Sequence, residues 1–349
     1  MNPRLPAVLA ALALALLLAL LAAAPVALAH GGEVPGEPTA STFLLLWSFD
    51  PLVWLPAVAA AVLWRSGVRR VNRAHPGNPV PRRRTVAWLL GLMAILVALD
   101  SGIERYDTTL FSVHMVQHML LTLVAPPLLL YAGPITLVLR ASSPDTRRRR
   151  VLPLLHSRLV RALSFPVVAW VVFAAVMWGS HFSPLFDLSL EDELVHRLEH
   201  GLFLASALLF WWPIVGPDPS PWRIGPGARV LYAGLQMPQN TFLAVAIAFA
   251  SAPLYSHYAT NVRDWGPTAL EDQQIAGGLM WLGGDVAFIV AVIGLVAAWL
   301  RAEERRSVGE ERRLEPERAA IREREARLAA RRATEGATAA SPGGGSPGD

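Results

Sequence analysis

The sequence predicts an all-α, polytopic membrane protein, a bundle of about seven transmembrane helices behind an N-terminal signal peptide. Three observations carry that expectation. Of the 349 residues, 53% are hydrophobic and only 17% charged, with mean hydropathy +0.39, which is too apolar for a soluble domain of this length. Seven apolar stretches, at 43–64, 85–101, 111–139, 164–180, 194–213, 228–252 and 273–300, approach the roughly 20 residues that cross a hydrocarbon core about 30 Å thick. The 31 basic residues are all arginine, and they collect between alternate stretches and in the tail. They lack aromatic interleaving, so the basic balance points to membrane topology and away from nucleic acid.

Taken in order, residues 1–29 read as the signal peptide. Arg4 supplies the positive start, a Leu/Ala run follows, and Ala27-Leu28-Ala29 offers a small-residue cleavage site, although an uncleaved anchor fits the long run as well. Residues 30–42 then form an extracytoplasmic N-terminal segment, and 43–300 the membrane domain. The loop 65–84 carries Arg65, Arg69, Arg70, Arg73 and Arg82 to Arg84, and the loop 140–163 carries Arg140, Arg147 to Arg150, Arg158 and Arg161. Both belong in the cytoplasm by the positive-inside rule, which places the mature N-terminus outside and the C-terminus inside. Residues 301–333 read as a charged cytoplasmic helix that Pro316 breaks or kinks, and 334–349 as a disordered tail.

The chemistry resides in polar groups that a bilayer makes costly. The third stretch contains His114-Met115-Val116-Gln117-His118 and the fifth His196-Arg197-Leu198-Glu199-His200, each near the end that the topology puts outside. A four-residue spacing stacks both imidazoles of a pair on one helix face, where they can share an ion or hold two neighbouring ones. The alternative for each histidine is a hydrogen-bonded packing residue. With no cysteine in the chain, a metal must be held by His, Met or carboxylate. Asp50, Asp100, Glu104, His181, His257 and Asp272 gather at the same outer level. Met115, Met119, Met177 and Met280 add thioethers that suit Cu(I), or simply fill gaps in apolar helices.

His-x-x-Glu-His also matches the inverted zinc-protease signature. Gln117 in the companion motif and Arg197 inside the second argue against that chemistry. Prolines at Ala125-Pro126-Pro127, Gly133-Pro134, Trp212-Pro213 and Gln236-Met237-Pro238 predict kinked spans, with Gln239, Asn240 and Asp285 as interhelical links or a polar path.

Ser48-Phe49-Asp50-Pro51, His114-Met115-Val116-Gln117-His118 with Ala125-Pro126-Pro127, and His196-x-x-Glu199-His200 with Phe210-Trp211-Trp212-Pro213 occur in that order. Asp272-Gln273-Gln274 with Gly277-Gly278 and Met280-Trp281 follows. Together they resemble the caa(3)-type cytochrome c oxidase assembly factors, the Bacillus-type CtaG proteins, over roughly 43–300. The resemblance implies a multi-pass protein of the bacterial plasma membrane that is not an enzyme. It implies a role in maturing haem-copper cytochrome c oxidase, with oxidase subunits as partners, by helping copper reach the binuclear centre. Asp50, His114, His118, His196, Glu199, His200, Asp272 and Met280 are the functional set it carries over. Cleavage after Ala29 would add the amine and imidazole of His30 as a Cu(II) chelate. Haem held between the third and fifth spans, and an ion or proton-coupled transporter using Asp100, Glu104 and Asp285, are the competing readings.

Overall fold

The computed structural model describes residues 35–339, and all regular structure among them is helical. The expected signal peptide, His30 and the last ten residues of the tail lie outside the described residues. The chain divides into two units, Met1–Val292 and Ile293–Asp349. The first contains every group discussed below as part of a site.

Helix α1 (Pro51–Ala74) starts under Asp50, whose side chain accepts from Leu52 N, and runs through the arginines expected in the first loop. Helix α2 (Arg82–Asp100) follows, extended after a break at Ser101 by a short helix, Gly102–Tyr106. Helix α3 (Phe111–Met119) passes into a π-helical segment, Leu120–Val124, and then into α4 (Ala125–Ala132). Gly133 takes the left-handed conformation that ends α4 (φ 77°), and Pro134 starts α5 (Pro134–Ala141). Helix α6 (Pro166–His181) is bent by 68° against α7 (Leu185–Glu191). Helix α8 is Glu193–Val215, and α9 (Pro226–Gly234) and α10 (Gln236–Ala248) precede the last helix, α11 (Ala269–Ala339).

Among the described residues, five helical segments are long and apolar enough to cross a membrane, and α6 with α7 makes a sixth if the bent pair is one span. The sixth expected span, 228–252, is helical but broken at Leu235 into pieces of 9 and 13 residues. At 1.5 Å per residue neither reaches the roughly 30 Å that crossing requires. The charged helix of 301–333 is continuous with the last apolar stretch, and Pro316 lies inside it without ending it.

Helix α2 packs on α4, which in turn meets α8. Leu92, Ile95, Leu99, Leu121, Leu129 and Leu204 form this core. Gly91 permits the approach, since a Cβ there would sit 2.8 Å from Leu129 side-chain atoms. The outward faces are apolar too: Leu55, Val58 and Val62 on α1 and Leu89, Leu90 and Met93 on α2 are exposed. Helices apolar on both faces are solvated by lipid on one of them.

Candidate metal centre

Helix α3 lacks a capping side chain of its own. Its first amides are satisfied from 161 residues away, where Asp272 accepts from Phe111 N at 2.6 Å and from Ser112 N at 3.4 Å. Helix α8 is capped locally, Asp192 accepting from Val195 N at 3.0 Å. These two caps hold the histidine-bearing turns side by side.

The four histidines form one buried cluster. Ring centroids are 4.1 Å apart for His114 and His118 and 4.2 Å for His196 and His200. Between the helices, His114 lies 5.5 Å from His196, and His118 lies 5.8 Å from His200. Two donor groups converge here, each with its ligand atoms within 4.8 Å of one another. One is His114, His118 and Glu199, all buried, and the other is Glu104, His196 and His200. Phe186 and Phe203 wall the cluster, with ring centroids 5.1 Å from His114 and 4.2 Å from His118.

The two groups differ in how their polar atoms are satisfied. His200 Nε2 meets the amide oxygen of Gln117 at 3.0 Å, and Gln117 Nε2 donates to Glu104 at 2.5 Å and to the Ala98 carbonyl at 3.0 Å. An amide oxygen only accepts, so His200 Nε2 carries the proton and Nδ1 the lone pair. His196 Nε2 pairs with Asp107 at 3.1 Å, the carboxylate–histidine arrangement that orients metal ligands. Among the described residues, neither ring nitrogen of His114 or of His118 has a hydrogen-bond partner, nor has either carboxylate oxygen of Glu199. Ser189 lies beside Glu199, but its hydroxyl donates to the Phe186 carbonyl at 2.8 Å.

Arg197, inside the second motif, ion-pairs with Asp50 at 2.9 Å and with Glu193 one turn earlier. Its charge is thereby matched by two carboxylates rather than set against a cation. The remaining residues expected at the site occupy other positions. Asp50 serves α1 as its cap and Arg197 as its counter-ion, and Asp272 caps α3. Asp100, fully buried, accepts from Phe49 N (3.0 Å), Asp50 N (2.8 Å) and Trp54 Nε1 (2.6 Å). Met280 lines a small cavity next to His118. The structure adds Asp107, which the sequence reading passed over. The signal available was an acid pair three residues apart, Glu104 and Asp107, just before the first histidine-bearing helix.

The fold and this cluster define an all-helical membrane protein with a buried His/Glu site suited to a metal ion. Comparison with known proteins gives the family. The model of the cytochrome c oxidase caa3 assembly factors matches residues 62–302, and the chain belongs to that family. It is also 33% identical over 289 residues to uncharacterized proteins of Mycobacterium bovis and Mycobacterium tuberculosis, and 32% identical to one of Mycobacterium leprae. The matches cover 81% of this chain, and the chain spans less than half the length of these relatives, 43% or 44%. No solved structure matches the chain.

Proposed function

We propose that this protein is a copper carrier for cytochrome c oxidase assembly, holding the ion between α3 and α8 and releasing it to a haem-copper oxidase subunit. Copper is cargo in this reading, and the protein is a metallochaperone rather than an enzyme. One observation supports it most: six ring-nitrogen and carboxylate atoms of His114, His118 and Glu199 are buried beside one another with no hydrogen-bond partner. Each such atom costs about 1–3 kcal/mol when left unmet, and four of the six, one nitrogen of each neutral imidazole and the two carboxylate oxygens, offer lone pairs to an occupant. A cation accepts them. The hydrogen bonds of Gln117 to His200 and of Asp107 to His196 supply the outer support that metal-binding imidazoles use.

Imidazole and carboxylate suit copper among several transition metals, and family membership favours copper over zinc. The arginine-rich ends of α1, α2 and α5 support a reading in which the opposite, histidine-bearing end of the bundle faces the outer side of the bacterial plasma membrane.

The test is metal content. Detergent-purified, copper-grown protein is expected to retain copper that the folded His118→Ala/His200→Ala double variant loses. Equal copper in the two proteins sinks the site, and iron or zinc in place of copper sinks the cargo.

A further inference from the structure

A second constellation adjoins the His/Glu cluster and differs from it in chemistry. The small cavity of about 20 Å³ is lined by His118, His181, Met115, Met119, Met177 and Met280. Four of the chain's seven methionines thus converge from α3, α6 and α11 on one small space. The approach of α11 depends on bare backbone: a Cβ on Gly283 would fall 2.1 Å from Met119 Cε and 3.4 Å from its sulfur. Met119 therefore rests directly against that helix.

His181 is what distinguishes this space from an ordinary methionine-filled gap. Its Nδ1 lies 2.7 Å from the Met177 carbonyl, one turn back on α6. A carbonyl only accepts, so Nδ1 carries the proton and Nε2 carries the lone pair. That Nε2 is buried and has no hydrogen-bond partner among the described residues. The residue as a whole is 3% exposed. A packing role would be met without loss by Leu or Phe, whereas a buried imidazole lone pair left unmet is destabilising, and the polar residues on the cavity wall, Thr122, Gln236 and Asn240, make no hydrogen bond to it. The carbonyl bond to the far nitrogen is the support a ligating histidine receives.

We propose that this cavity is a second metal site, selective for Cu(I), in which His181 Nε2 and thioethers of the four methionines hold the ion and His118 separates it from the His/Glu cluster. The proposal deepens the copper-carrier reading and rests on it. Thioethers are soft ligands that take Cu(I) and leave harder divalent ions to imidazole and carboxylate. The protein would then hold copper at two adjoining stations of graded softness.

The experiment uses the full-length, detergent-purified protein with Ag(I) as a soft-metal probe and Cu(II) as the probe of the His/Glu cluster. The Met119→Leu/Met177→Leu/Met280→Leu variant keeps volume nearly constant. It is expected to lose about one Ag(I) per chain, as removal of the soft donors requires, while binding Cu(II) like the wild type. X-ray absorption of the wild type loaded with Cu(I) should show sulfur neighbours, which decides the matter even if the triple variant does not fold. A Cu(I) spectrum with nitrogen and oxygen neighbours only, or undiminished Ag(I) in the folded variant, overturns the second site and leaves the first standing. Loss of Cu(II) binding in the wild type itself would instead remove the carrier reading, and sulfur-bound Ag(I) in that protein would still establish the thioether site.

Discussion

Two sets of buried polar side chains in this protein look alike by burial and differ in their hydrogen bonds. Asp100 is fully buried and accepts from two backbone amides and the Trp54 indole, tying the segment before α1 to the end of α2. Asp272 does the same for the start of α3. His114, His118 and Glu199 are as deeply buried, yet none of their ring nitrogens or carboxylate oxygens is met by another group among the described residues. The first set contributes to folding because its bonds are complete. The second detracts from stability until something outside the chain completes it. Hydrogen-bond accounting separates structure from site here, and burial alone does not.

The strongest way to break that comparison is Asp100→Ala. It orphans three donors, and at about 1–3 kcal/mol each it should lower Tm steeply while leaving metal per folded chain unchanged; a small Tm change would show that the knot is not structural. Next in size, His114→Leu with His118→Leu should abolish copper retention and leave Tm equal or higher, since a matched apolar replacement of unpaired groups is neutral to stabilising. A Tm loss like that of Asp100→Ala would place these histidines in the structural set. Gln117→Leu sharpens the picture further. It frees His200 and Glu104 from their shared anchor, so competition titrations should give copper affinity about 10–100-fold weaker at unchanged stoichiometry.

The smallest expected effect concerns Asp218, in the loop after α8. It accepts from Ile135 N at 3.0 Å and Thr136 N at 2.7 Å at the start of α5. Burial pushes its carboxyl above the ordinary value of 3.8, while the Thr136 and Ile135 bonds and Arg84 pull it down. A raised folded value means that the group's pH-linked stability is complete below 3.8 and is lost as pH climbs through the folded value. Asp218→Asn should therefore flatten the slope of Tm against pH in the range just above 3.8. An unaltered slope would show that another group sets it.

The sequence exposes what depends on local periodicity. Apolar stretches locate the long helices, and the i,i+4 spacing alone stacks His114 on His118 and His196 on His200. It conceals what depends on pairing across the fold. Asp272 and Phe111 are 161 positions apart, and Arg197 finds Asp50 from a distant helix, so neither the trans cap nor the ion pair follows from any spacing. Apolar composition also cannot reveal a break such as that at Leu235, because both halves of 228–252 remain hydrophobic. Asp107 escaped notice for a related reason: it sits just beyond a helix end, where no repeat fixes direction.

The π-helical segment Leu120–Val124, just past His118, has a consequence for how this chain can change length. Its neighbours offset the altered ladder: the Thr122 hydroxyl donates to the His118 carbonyl at 2.7 Å, and Trp211 Nε1 to the Thr122 carbonyl at 2.8 Å. A π segment amounts to one residue more than an α-helix of the same span requires. Deleting one of the five would restore α geometry and leave the flanking helices in about the same phase, whereas deleting a residue of regular α-helix between His118 and Leu129 would turn everything downstream by about 100° relative to the histidines. Either the imidazoles would leave α8 or Leu129 would leave its place against Gly91 on α2. This stretch therefore carries one spare residue: the chain can lose it there and keep both its histidine contacts and its packing on α2, which no other point along the same span allows.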